Sequence, residues 1–401
     1  MADVVSNVTD RGVPVSTPSA PRRRPRRRWP WAALAQQAAA IALVAAAFAY
    51  LGTNITRNLA ANGMTGGFGF LWQEAGFAMS FSLIEMSESS TYGRVFLAGV
   101  LNTLFIAGLS LVTATVLGLV VGFARVSAAR PLTLAATVYV EALRNVPMLL
   151  ILIFVQTVAL RSLPVVREAI AIGDAVYLSN RGIYFPWPEP GQDLRLALGA
   201  LVAGCLGLVA AWVLRPRTPV LVRRDLAATI AGITVGVILL VVAVLNVDWQ
   251  RPVFRGFDFR GGAKMMPEFA ALLLALTLYN AAFIAEIVRA GLQSVDHGQI
   301  EAARALGLRD GFIQRRIVLP QALRLMVPPL TNQYVHLIKA SSLATVVGFP
   351  DLVAVFLGTS LNQTGRAIEI VVMTAAVYLT LCLGLGALSA AWNTRVSLKG
   401  R

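Results

Sequence analysis

EAARALGLRDGFIQRRIVLP, residues 301–320, is charged and helix-forming, although the chain on either side is oily enough to sit in a bilayer. Asp296 followed three residues later by Gln299 has the spacing of a capping box. A short helix is therefore expected to start there, with Glu301 in its first turn, where the helix dipole favours a carboxylate. Ala302 and Ala303 leave that helix a surface for close approach. Gly307 suits the left-handed conformation that ends a helix, and Asp310 can cap a second one. The second helix carries Phe312, Ile313, Ile317 and Leu319 and is expected to break before Pro320, because a residue preceding proline disfavours the helical region. The expected result is a compact helix-turn-helix with an exposed apolar stripe. Two readings fit it: an amphipathic loop lying on the membrane surface, or a helix that lays its stripe into a partner's groove.

Outward from this stretch, the 401 residues are 57% hydrophobic and 14% charged, with a mean hydropathy of +0.68. That composition predicts an all-α polytopic membrane protein. Eight spans are expected, beginning near residues 32, 95, 132, 194, 227, 267, 327 and 367. An even number puts both termini on one side, the cytoplasmic side by the positive-inside rule. Arg125, Arg130, Arg215, Arg217, Arg223, Arg224, Arg395, Lys399 and Arg401 all fall there, as does the 301–320 segment with Arg304, Arg309, Arg315 and Arg316. The loop 247–266 is placed outside despite Arg251, Arg255, Arg260 and Lys264, since moving it inward would carry 301–320 outward.

The expected organisation is a disordered basic cytoplasmic tail over 1–31, a first transmembrane helix over 32–52, an external segment over 53–94, a transmembrane domain over 95–392 and a cytoplasmic tail over 393–401. Much of the +15 net charge sits in RRRPRRR, residues 22–28, immediately before an apolar run. It reads as an orientation signal, and without aromatic interleaving or a soluble domain no nucleic-acid partner is expected. GFDFRGG, residues 256–262, lacks the Lys-Ser/Thr of a phosphate-binding loop, so no ATPase and no catalytic residue is expected. His297 and His336 lie in a loop and in a different span, and Cys205 and Cys382 each sit inside an apolar run. No metal site is expected from them.

The spacing Glu301-Ala302-Ala303, three residues, Gly307, nine residues, then Ile317-x-Leu319-Pro320 resembles the EAA loop of ATP-binding-cassette importer permeases. GRVFLAGVLNTLFIA (93–107), YVEALRNVPMLL (139–150), LYNAAFIAEIVRAGLQSV (278–295) and KASSLATVVGFPDL (339–352) look like polar amino-acid permeases of that class. Asn145-Val146, the long segment 53–94 and NQTGRAIE (362–369) are similar to the larger permease subunit of general L-amino-acid importers. Residues 161–266 resemble an insertion of that subgroup. One departure is Met148 onward, where relatives commonly place a glutamine after the proline.

The resemblance implies a type I permease core in a bacterial inner membrane, with a coupling loop over 291–323. It implies that Glu301, Ala302, Ala303, Gly307, Ile317, Leu319 and Pro320 dock on an ATPase. It further implies a second related permease, two ATP-binding subunits that use ATP and magnesium, an external amino-acid-binding protein, an amino-acid substrate and surrounding lipid, with no cofactor on this chain.

Charge inside a membrane is costly, so Glu141 with Arg144 and Glu286 with Arg289, each spaced i, i+3, are expected to pair. The candidate substrate path comprises Asn102, Thr103, Glu141, Arg144, Asn145, Tyr279, Asn280, Lys339, Ser341 and Ser342. A zwitterion needs a donor for its carboxylate and an acceptor for its ammonium, and these residue types supply both. The competing role for the small polar residues is helix-to-helix bonding, and for His336 plain packing. Gly118–Gly122 and Gly232–Gly236 have the spacing of close helix contacts. Outside the resemblance, an ion- or proton-driven secondary transporter and a membrane-embedded enzyme remain as rivals.

Overall fold

The computed structural model describes residues 31–61, 67–173, 175–189 and 248–396. The expected spans near 194 and 227, the RRRPRRR cluster, Cys205 and the Gly232–Gly236 pattern lie outside the described residues. The chain divides into two units, 1–66 and 67–401.

In the first unit, α1 (Trp31–Ala61) contains a stretch, Leu34–Asn54, apolar and long enough to cross a membrane. The helix continues past residue 52 into the segment expected to be external. Its 31 residues span about 46 Å at 1.5 Å per residue, more than a hydrocarbon core of about 30 Å, so its end is not set by hydropathy.

The second unit is built around α2 (Tyr92–Arg125), α3 (Arg130–Arg144), α4 (Met148–Phe154) and α5 (Pro267–Gln293). The Thr91 hydroxyl caps α2 by accepting from the Arg94 N–H. α2 and α5 form the closest helix pair, and the Gly118–Gly122 spacing explains why. A methyl group on Gly118 would lie 2.6 Å from Ile284, and one on Gly122 2.7 Å from Val288. Without side chains at those two positions, the backbones approach closely enough for Ile284 and Val288 to be fully buried.

The expected span near 132 is one helix only in the sense that its two pieces adjoin. α3 and the segment Met148–Leu160 meet at 103° across Asn145-Val146-Pro147. Pro147 lacks the N–H that would continue α3, and residue Val146 before it disfavours helix. The segment after the bend ends in a π turn, Val155–Leu160, and packs along α5.

Among the described residues, eight short strands add to the helical bundle: β1 (Ile170–Ile172), β2 (Val176–Ser179), β3 (Gly182–Phe185), β4 (Trp187–Pro188), β5 (Trp249–Gln250), β6 (Val253–Arg255), β7 (Asp258–Arg260) and β8 (Ala263–Met265). Strands of two to four residues are too short to display an alternating pattern, which is why the sequence reads as helical throughout. One sheet has the order β1-β2-β3-β8, and β4 pairs with β5, all antiparallel. The two ends of the 161–266 segment are therefore stitched to each other. GFDFRGG forms the β6–β7 hairpin, with Gly256 at φ +71° in its tight turn. Register places Tyr184 opposite Lys264, and the Tyr184 hydroxyl and the Lys264 ammonium (3.2 Å) both donate to Asp258.

Beyond α5 come α6 (His297–Ala305), α7 (Asp310–Ile313), α8 (Leu319–Ala340), α9 (Ala344–Val347), α10 (Leu361–Thr364) and α11 (Ala367–Val396). α8 packs between α5 and α11, burying Ala322, Met326 and Leu337. The turn at Pro350-Asp351 is pinned in the core: Asn102 donates to the Pro350 carbonyl at 2.8 Å, the Leu352 N–H to Thr103 at 3.0 Å, and the Ala354 N–H to Asp351 at 2.8 Å.

Candidate coupling surface and membrane path

The 301–320 stretch folds as two helical pieces around a glycine. Asp296 caps α6, its carboxylate accepting from the Gly298 N–H at 2.9 Å. The reciprocal half of the capping box does not form, because the Gln299 side chain instead accepts from Gln321 at 2.6 Å and ties α6 to α8. Glu301 lies just beyond the first turn rather than in it. Gly307 holds φ +74°, and a methyl group there would meet nothing within 4 Å. Its role is thus conformational, since only glycine takes the left-handed region without cost.

Two details differ from the expectation. Arg309 occupies the cap position of α7, while Asp310 accepts from Arg304 at 2.9 Å across the turn. The chain also does not break before Pro320, because α7 runs through a π turn, Gln314–Val318, straight into α8. The widened turn accommodates a residue that has no N–H to donate, so the helix bulges where a break was expected.

Burial then sorts the apolar stripe. Ile313 is 1% exposed and belongs to the core, whereas Phe312 is 51% and Leu306 78% exposed. Ala303 is buried; Glu301, Ala302, Gly307 and Pro320 are exposed; Ile317 and Leu319 are half-buried. The surface presented outward is therefore Glu301, Ala302, Leu306 and Phe312. Leu306 was not legible beforehand, since its exposure follows from the turn at Gly307 rather than from helical spacing.

Where α2, α3 and α5 meet, one carboxylate serves three arginines. Glu286 accepts from Arg289 at 2.5 Å, as its i, i+3 spacing predicts, and from Arg125 at the end of α2. Arg144 stands 3.9 Å from the same carboxylate and 5.3 Å over the Phe283 ring. The predicted Glu141–Arg144 pair does not form: Glu141 is exposed and makes no ion pair among the described residues. Arg144 ends α3 and turns toward α5 instead. From Phe283 an aromatic wall continues through Tyr279 (5.0 Å) to His336 (6.3 Å), and Lys339 is exposed one turn further along α8.

The other polar candidates are engaged elsewhere. Asn280 is fully buried, donating to Leu276 O at 2.7 Å and accepting from Gln333 at 2.8 Å. Asn102 and Thr103 hold the Pro350 turn, and Ser341 and Ser342 donate to carbonyls three residues back, each at 2.7 Å. Asn145 terminates α3 in an exposed position. Among the described residues, no cluster of histidine, cysteine or carboxylates has the makings of a metal site.

A family of binding-protein-dependent transport system inner membrane components matches residues 114–398. The chain belongs to this family. Its fold is accordingly that of a type I ABC-importer permease. The putative amino-acid ABC transporter permease protein YhdX of Escherichia coli (strain K12) is 42% identical over 91% of this chain and 94% of its own length. The general L-amino acid transport system permease protein AapQ of Rhizobium johnstonii is 43% identical over 87% of this chain and 88% of its own. The glutamate/glutamine/aspartate/asparagine transport system permease protein BztB of Rhodobacter capsulatus is 36% identical over 91% of this chain and 93% of its own.

Proposed function

We propose that this permease is the membrane subunit of a bacterial ATP-driven amino-acid importer. An external binding protein delivers substrate, which passes between this chain and a second, related permease while two ATP-binding subunits close and reset on the cytoplasmic side. ATP and magnesium are used by those partners, and both termini of this chain face the cytoplasm. The observation that carries the reading is the 297–318 element: a capped helix, a left-handed glycine and a second helical piece that leave Leu306 and Phe312 uncovered. Exposed apolar side chains on a rigid, charged projection are what a partner's groove requires. Such a projection serves no purpose in an ion-driven transporter.

The substrate path in this reading runs along Arg144, Phe283, Tyr279 and Lys339. Three arginines around one carboxylate leave a cationic excess at the half-exposed Arg144, suited to a substrate carboxylate. The aromatic faces beside it suit an ammonium.

Two variants test the two halves separately. Leu306→Ser with Phe312→Ser is expected to release the ATP-binding subunits from membranes and stop uptake, with the chain still folded. Arg144→Ala is expected to leave those subunits bound and to lower uptake. If the double variant retains both ATPase binding and uptake, the coupling reading is wrong.

A further inference from the structure

A groove of about 560 Å³ runs between α8 and α11. Its α8 wall is a single stripe comprising Pro320, Leu323, Arg324, Val327, Leu330, Thr331 and Tyr334, and Leu385 and Leu388 of α11 face it. The hydroxyls in the wall are already satisfied: Thr331 and Ser389 bond to each other, and Tyr334 accepts from Thr115 at 3.0 Å. What remains is an apolar trough with one unspent polar group. The Nε of Arg324 is buried without a hydrogen-bond partner, and its guanidinium makes no ion pair among the described residues.

A cation at one end of an apolar groove matches a molecule with an anionic head and a hydrocarbon tail. Arg324 lies near the start of α8, about two turns beyond the exposed Arg315 and Arg316, so the positive end is at the membrane boundary. From Pro320 to Tyr334 the stripe follows about 20 Å of helix, enough for a chain that crosses one leaflet of a core about 30 Å thick. We propose that this groove binds one anionic phospholipid, its phosphate on Arg324 and an acyl chain along Val327, Leu330 and Leu388. Basic pockets between helices at the cytoplasmic boundary recognise lipid head groups through this combination of charge and apolar contact. The lipid would brace α8, the helix that receives any motion of the coupling element, against α11.

The test uses the full chain, purified in detergent and titrated with dioleoyl phosphatidylglycerol, dioleoyl phosphatidylcholine or inorganic phosphate. Readouts are native mass spectrometry and the shift in melting temperature. Phosphatidylglycerol is expected to bind roughly tenfold more tightly than phosphatidylcholine, whose choline cation offsets the charge that the same phosphate would present to Arg324. Arg324→Gln should erase that preference. Leu388→Trp, at a position 71% exposed and so tolerant of bulk, should fill the trough and displace both lipids. Inorganic phosphate alone should give no shift. The proposal fails if Arg324→Gln keeps the preference, if phosphate reproduces the shift, or if a cysteine replacing Leu330 cross-links to the second permease in membranes, which would make the groove a protein interface.

Discussion

The α2–α5 seam and the 297–318 element solve opposite problems with the same residue type. In the seam, Gly118 and Gly122 matter for the side chain they lack, because Ile284 and Val288 occupy that space. At the coupling turn, Gly307 has open space around it and matters for its left-handed backbone. One region is held by packing and tolerates nothing added. The other is held by a turn, a few hydrogen bonds and the buried Ala303, Ile313 and Val318, and it leaves Leu306 and Phe312 uncovered. The seam joins two helices long and apolar enough to cross a membrane, while the 297–318 element leaves apolar side chains uncovered.

Substitutions can break that contrast, and the largest effect belongs to the seam. Gly118→Leu should cost roughly 3 kcal/mol by overpacking and sharply reduce the folded chain recovered from membranes. Normal recovery and melting would mean that the seam is looser than the geometry indicates. Next, Glu286→Gln strands Arg125, Arg144 and Arg289 together. A cost of about 2 kcal/mol is expected, below the value for a fully buried pair because the Glu286 side chain is 23% exposed. Thermal unfolding of the purified chain reads it directly.

Gly307→Val should cost only about 1 kcal/mol, the penalty for left-handed backbone in an L-residue. Uptake should nevertheless collapse while the amount of folded chain barely changes. Gly307→Ala, without the β-branch that makes left-handed backbone costlier for valine, should retain more activity; equal activity in all three would remove the turn from the coupling account.

The smallest effect concerns the strands. Burial raises the Asp258 carboxyl, but hydrogen bonds from Tyr184, the Phe259 N–H and Lys264 outweigh it and hold that group below the usual carboxylate range. Burial likewise lowers Lys264, and its bonds to Tyr184 and Asp258 outweigh it, holding the ammonium above its usual value. The Asp258 contribution is therefore complete above an unfolded pKa of about 4 and is lost as pH falls through the lower folded value. The Lys264 contribution is complete below about 10.4 and is lost as pH rises through the higher folded value. Asp258→Asn should remove less than about 1 kcal/mol, because the pair is partly exposed. Pulse proteolysis at Phe257 should show the wild-type hairpin opening in acid and again in strong alkali, and the variant open more at neutral pH.

Hydropathy and spacing were enough to read a membrane chain, the α2 and α5 spans, the Glu286–Arg289 pair, the close-contact glycines and the 297–318 helices with their Asp296 cap and Gly307 turn. All of these depend on residues within a few turns of one another, where helical geometry alone fixes what meets. The bend at Pro147 and the bulge before Pro320 share one local cause, yet proline cannot say whether a helix breaks or widens. That depends on whether packing on the far side holds the axis straight, as it does where α8 packs on α5. Long-range partners were beyond reach for the same reason. Arg144 exchanged Glu141 for Glu286, Asn280 was consumed by Gln333, and Leu306 was left in the open because the fold put other side chains, or none, within bonding distance. Sequence determined which groups could be polar, apolar or left-handed, and tertiary structure decided which of them were already satisfied and which remained free to bind.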